Sequence, residues 1–349
     1  MSIDFGATAI ALLTFFGISA IMALSLNLEY GVAGIPNFGK AMFVSIGAYT
    51  LGVTYTRLLL WLVTQPFIDP CDATTLPQAL ELRIAIIKSL PMTAFLNFGL
   101  TLLIAAGIGG VVGYLVSYSA LRVKEEWYLG LVLLVGSEVV RILARGYTPL
   151  VCGVNGISGI AHPFSWIENR TVATACFAGL VVLMALGVYF YCERLVRSPY
   201  GRLLKAMREN DRVTLGLGKR VPRIRAQVMF IGSALAAIAG VLFAVNIGFV
   251  STNDYVVGLT LDVWVMVVLG GVGNNRGVLL GALIVTVLTR ITSIMSIWLN
   301  GLGSPFEFNY VRYILFALIL LWGLRYRRQG LLPEHPQTTV AHDELSLRP

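Results

Sequence analysis

Chemistry in this chain must come from few ionisable groups, because only 13% of its residues are charged. Glu138 and Arg141 stand three apart in one apolar run. On a helix that spacing puts them on one face. A lone charge in lipid is costly, so the two are expected to pair, either as a structural ion pair or as part of a functional path. Asp262 and Arg290 are further candidates in or beside apolar runs. No series of acids marks a proton relay. The 3 histidines, His162, His335 and His342, are scattered, and none falls inside an apolar run. Neither a metal site nor a nucleophile–base pair is visible among them. The 4 cysteines, Cys71, Cys152, Cys176 and Cys192, lack C-x-x-C spacing, which argues against zinc or redox use.

One segment imitates a phosphate-binding loop: Gly34-Ile35-Pro36-Asn37-Phe38-Gly39-Lys40-Ala41. Ala41 stands where the motif needs a hydroxyl for Mg²⁺, and Pro36 removes a backbone donor. The flanks are membrane-length apolar runs, not a strand and a helix. The segment therefore reads as a broken or re-entrant helix, its freed backbone groups buried in protein or lining a water-filled path. A second break, Gly270-Gly271-Val272-Gly273-Asn274-Asn275-Arg276-Gly277, resembles it. The likeness is either coincidence or the trace of an internal repeat. Gly273, Gly277 and Gly281, and likewise Gly109 and Gly113, form small-residue stripes suited to close helix packing.

The elements that must position these residues are set by composition. The chain is 57% hydrophobic, against about 45–50% in soluble domains, and its mean hydropathy is +0.79. It could not cover its surface with polar groups in water. The fold class expected is all-α, a polytopic transmembrane helical bundle with helices broken at the glycine-rich segments. The apolar stretches are Phe5–Leu28, Ala41–Val63, Thr93–Ala120, Tyr128–Leu143, Val172–Tyr191, Ala226–Phe249, the short Val263–Gly271, Val278–Leu299 and Tyr310–Leu324. That is about nine spans of the roughly 20-residue kind. The start from Ala9 lacks a basic flank and reads as a span, not a cleavable signal peptide. Residues 1–328 form one transmembrane domain, and 329–349 form a polar tail expected to be disordered.

The net charge of +8 points to cytoplasmic loops, not to nucleic acid. Residues 193–225 hold ten basic and three acidic side chains. That segment, the connection carrying Arg122 and Lys124, and the tail after Arg325 are expected in the cytoplasm. The loops Thr64–Lys88 and Ala144–Arg170 then face outward, the N-terminus lies outside and the C-terminus inside. The outer loops hold Cys71 and Cys152, which could pair. The outward Gly-rich loop 152–160, with Asn155 and Gly156, is either a flexible turn or an amide-lined contact for a carboxylate or a protein.

Within the basic segment, Ser198 and Pro199 open a helix as N-cap and first residue, and Gly216 or Gly218 can end it. Leu203, Leu204, Met207 and Val213 give it an apolar stripe, and Arg202, Lys205, Arg208 and Arg212 a basic one. Such a helix could lie on headgroups or dock into a groove of a cytoplasmic protein.

Four stretches together resemble the permease subunits of branched-chain amino-acid ABC importers. They are Leu26–Gly34 continuing to Gly39, Ala41 and Gly47–Thr50; Gly136–Arg141 with Asn155–Ile160; Ser198–Arg202 with Ala206–Glu209; and Val267–Gly273 with Gly277 and Leu280–Ala282. They run in family order over roughly residues 20 to 325. The resemblance implies a non-catalytic membrane subunit with no cofactor, no bound metal and no catalytic residue of its own. It implies as partners two cytoplasmic ABC ATPases, a second related permease or a second copy of the chain, and an extracytoplasmic substrate-binding protein, all assembled in the cytoplasmic membrane. The helix seated on an ATPase would carry Ser198, Pro199, Tyr200, Gly201, Arg202, Ala206, Arg208, Glu209, Asp211 and Gly218. The translocation path would draw on Asn27, Gly34, Asn37, Gly39, Glu138, Arg141, Asn155, Gly156, Gly270, Gly271 and Gly273. The family's Glu-x-Ala-Ala pattern is matched only partly, by Asp211, Val213, Thr214 and Gly218. Lys40 ends a run where the family commonly has His. Urea or short amides are the alternative substrates, and a self-sufficient transporter or channel is the rival of another class.

Overall fold

The computed structural model describes residues 5–62, 71, 76–120, 126–300, 311–327 and 329–334. The helices are α1 (Phe5–Leu26), α2 (Lys40–Thr50), α3 (Thr56–Leu62), α4 (Leu76–Ser89), α5 (Pro91–Ala120), α6 (Glu126–Gly146), α7 (Thr148–Val151), α8 (Arg170–Arg197), α9 (Pro199–Glu209), α10 (Asp211–Gly216), α11 (Val221–Ile247), α12 (Val257–Gly270), α13 (Asn275–Asn300) and α14 (Val311–Tyr326). Wide π turns at Asn27–Val32 and Leu51–Tyr55 extend α1 and join α2 to α3. Among the described residues no strand forms, and the only extended pairing is a bridge between Ile157 and Val250. The architecture is an all-α polytopic membrane bundle. Among the described residues each of the nine apolar stretches falls mainly on helix, and five of the helices are long and apolar enough to cross a membrane.

Helix α11 is the centre. In its apolar window 72% of residues are buried, against 28% in that of α5. It packs on α5, α2 and α1. Small residues permit this: Gly109 and Gly113 of α5 face Ser233 of α11, and Gly47 of α2 faces the backbone of Ala237. Outward from this centre, Leu103, Leu183 and Leu321 are more than half exposed. Exposed leucines on long helices would be unfavourable in water, and they suit contact with hydrocarbon.

Two expectations change, and one left open is closed. The loop Thr64–Lys88 is not wholly loop: its second half is α4, which packs on α3 and α5. Ile86 and Ile87 join Leu59, Ala94 and Ala161 in a separate apolar cluster, and Arg83, 1% exposed, donates to the Gly159 carbonyl at 3.1 Å. A charged periodicity masked a helix too short to span. The pairing left open between Cys71 and Cys152 is made, with Cα atoms 5.0 Å apart. The second change concerns the tail. Residues 329–334 are docked: Leu331 and Leu332 donate backbone hydrogen bonds to Leu269 and Gly270, each at 3.0 Å. Residues 335–349, and the connection carrying Arg122 and Lys124, lie outside the described residues.

Candidate functional site: paired helix breaks and a basic surface helix

The two glycine-rich breaks are neighbours. Asn27, in the wide turn after α1, accepts the Gly273 N–H at 2.9 Å through Oδ1 and donates to Asn275 Oδ1 at 2.9 Å through Nδ2. Asn275 in turn donates to Glu193 Oε2 at 3.0 Å, at the end of α8. Gly31 makes this possible, since a Cβ there would stand 2.6 Å from the Gly273 nitrogen. Backbone groups freed by a broken helix must find partners inside the protein, and here the first break supplies one to the second, while Arg208 of α9 serves the Gly31 carbonyl of the first. Gly34 turns the chain at φ +75° and lies against Arg208. Gly270, Gly271 and Gly273 complete the second break, and Gly271 packs on the docked tail.

Between α1 and α2 sits a buried ion pair. Lys40 Nζ is 2.7 Å from Glu29 Oε2, and both side chains are at most 1% exposed. Asn37 Nδ2 donates to the same carboxylate oxygen at 2.8 Å, and Lys40 also donates to Ser25 Oγ at 2.6 Å. Asn37 Oδ1 accepts the Gly39 N–H at 2.9 Å, while the Asn37 carbonyl accepts Trp264 Nε1 at 3.1 Å. Phe38 stacks on the same indole, with ring centroids 4.4 Å apart. Lys40, which the motif reading treated only as part of a failed phosphate loop, is an internal counter-ion. Nothing in its spacing from Glu29 marks the pair, because the chain runs irregularly from residue 33 to 39 between them.

The basic segment is not one helix. Asn210 breaks it, and its side chain caps α10 by accepting from Arg212 and Val213 N–H. Ser198 caps α9 by accepting the Gly201 N–H at 3.3 Å, and Pro199 occupies the first turn. Gly201 lies so close to the end of α8 that a Cβ would meet the Leu195 carbonyl at 2.5 Å. Leu204 and Met207 are buried as expected, but Val213 is not, with 59% exposure. Tyr200 donates to Gln227 Oε1 at 3.4 Å, and burial pushes its hydroxyl up to about 12. It therefore stays a neutral donor.

Arg208 turns inward. It donates to the Gly31 carbonyl and pairs with Glu334 Oε2 at 2.9 Å, while Lys205 holds Glu334 Oε1 at 2.7 Å. Asp211 is held by Arg225 at 2.5 Å. The side chains of this segment that face outward include Arg202, Ala206, Glu209, Arg212, Val213, Leu215 and Leu217, with Gly218 at the exit of α10.

The remaining candidates lie apart from this cluster. Glu138 and Arg141 pair with each other at 2.8 Å on α6. Gly156 is buried and Asn155 exposed in a loop pinned to the far end of α11, where Ile157 and Val250 exchange backbone hydrogen bonds of 2.9 Å. That loop is fixed, not a free turn.

The comparisons agree with this architecture. The family model described as branched-chain amino acid transport system/permease component matches residues 8–323. The chain is 36% identical over 332 residues to the probable branched-chain amino acid transport permease protein LivM of Methanocaldococcus jannaschii, covering 94% of each chain. It is 28% identical over 355 residues to the high-affinity branched-chain amino acid transport system permease protein LivM of Escherichia coli, covering 94% of this chain and 70% of the relative. It is 23% identical over 314 residues to the corresponding protein LivH of Salmonella typhimurium, covering 86% and 87%. No solved structure gives a significant match. A polytopic helical bundle with glycine-broken helices, matched over nearly its whole length, belongs to the branched-chain amino acid transport system permease family.

Proposed function

We propose that the chain is the membrane-spanning subunit of an ATP-driven importer of branched-chain and other neutral amino acids. It performs no catalysis itself. One of two cytoplasmic ATPases sits against α9 and α10, a second related permease completes the path and takes the other, and an extracytoplasmic binding protein delivers the substrate. The N-terminus faces outward, and the end bearing α9 and the tail faces the cytoplasm. The match to two sets of relatives, both named as permeases of branched-chain amino acid transport, supports the substrate class.

The observation that carries the coupling is the division of labour within 198–218. The inner face of α9 is bonded to the first break through Arg208 and Gly31. The other face leads to Val213, Leu215 and Leu217, which are 59%, 52% and 69% exposed beyond any hydrocarbon span. An exposed apolar patch with a basic surround is a protein-contact signature. A partner that moves there displaces α9, and α9 displaces the paired breaks. ATP drives the exchange between outward and inward states only through its different affinity for the two.

The test is co-purification with the ATPase subunits and L-leucine uptake in vesicles. Leu215→Glu combined with Leu217→Glu is expected to abolish ATPase association and ATP-driven uptake. Uptake by the wild-type chain without any ATPase would sink the importer reading. Undiminished association of the double variant would sink the docking assignment alone.

A further inference from the structure

α11 carries the chain about 40 Å from α9, and beyond its end a second feature opens. A cavity of about 540 Å³ lies between α1, α12 and α13, closed on one side by the 253–259 segment. Its lining contains both signs of charge: Asp254 ahead of α12, Asp262 on α12 and Arg290 on α13. The Arg290 guanidinium rests over the Phe15 ring, 5.4 Å from its centroid. Thr286 also lines the cavity, and its hydroxyl is buried without a hydrogen-bond partner in a residue only 6% exposed. A buried orphan hydroxyl is costly unless something supplies the missing bond. Apolar walls come from Met22, Val263 and Met266.

From this arrangement we infer a binding site for a zwitterionic α-amino acid with an aliphatic side chain. The carboxylate takes Arg290 and the Thr286 hydroxyl, the ammonium takes Asp262, and the side chain lies on the methionine and valine wall. A cavity of this size is in the range of small-molecule sites. A single-sign or wholly apolar cavity would not suit a ligand that is neutral overall yet carries two full charges. In lipid those charges would be costly alone, so a solute crossing here needs both met at once. The inference rests on the transport reading, and it adds the place where the substrate is held and the groups that hold it.

The experiment uses the complete complex in proteoliposomes, with saturating binding protein outside, ATP inside, and L-leucine and L-alanine as probes. Arg290→Gln is expected to lower leucine uptake more than about tenfold, and Thr286→Val to raise the leucine KM several-fold. Met266→Phe, which fills part of the apolar wall, is expected to shift the leucine-to-alanine uptake ratio toward alanine by about tenfold. A purely structural effect would lower both substrates alike and leave that ratio fixed. If the wild-type complex takes up leucine and all three variants match it, the site assignment falls. An unchanged ratio in Met266→Phe overturns it even if the arginine variant misfolds. Absence of any amino-acid uptake by the wild-type complex overturns the transport reading itself, and the site with it.

Discussion

At the residue scale the least legible feature is the Glu29–Lys40 pair. Both residues were visible in the sequence, one inside a family stretch and the other inside a spurious nucleotide motif. Their partnership depends on how the chain turns between α1 and α2, which no helical or strand period encodes. Two ions fully out of water cost several kcal/mol each to desolvate, and mutual attraction plus hydrogen bonds must offset this. Removing one partner strands the other. Lys40→Met is therefore expected to destabilise the protein by about 3–5 kcal/mol, measured by chemical unfolding in detergent. Glu29→Gln with Lys40→Met should recover most of that loss. A double variant no more stable than the single one would show that the pair is not the source. By contrast, the Glu138–Arg141 pair was legible, because an i,i+3 spacing on a helix leaves little choice of partner.

At the element scale the apolar helices followed from hydropathy, the short α12 included, and α4 and α10 did not. α4 carries Glu81, Arg83 and Lys88 among its apolar residues, so its burial pattern was hidden by charge. The break at Asn210 was hidden because the basic and apolar residues continue across it, while the side chain that caps α10 serves only if the chain turns there. The tail was hidden for another reason. Its composition is polar, yet Leu331 and Leu332 use backbone groups that α12 leaves open at its glycine end. Composition says nothing about such pairing. Glu334 then bridges Lys205 and Arg208. Ending the chain at Arg328 should free the inner face of α9, seen as at least about tenfold faster amide exchange from Leu203 to Arg208. Protection unchanged in the shortened chain would mean that α9 is held by α8 and the first break alone.

At the scale of the whole molecule, the positive-inside argument placed the basic segment and the tail on the same side, and Glu334 joins them physically. The Cys71–Cys152 link lies at the other end, with the loop pinned to Val250. Disulfides persist in oxidising compartments, which accords with an outward position for that end. In intact cells a membrane-impermeant reductant followed by an impermeant maleimide should label Cys71. A cysteine placed at Leu217 should be labelled only after permeabilisation. The reverse pattern would invert the assigned orientation. The disposition of the glycine breaks was legible as two separate interruptions, and their contact was not, since the residues that join them lie at opposite ends of the chain.

That contact has a mechanical meaning. Two interrupted helices are ordinarily the compliant places of a bundle, where it bends. Here each interruption is stiffened by the other through Asn27, and both are tied to α9 and to the tail. These bonds join α9, the first break, the second break and the tail into one connected unit. A displacement of α9 would therefore be felt in the first and last thirds of the chain together, although Asn27 and Gly273 stand 246 residues apart in sequence.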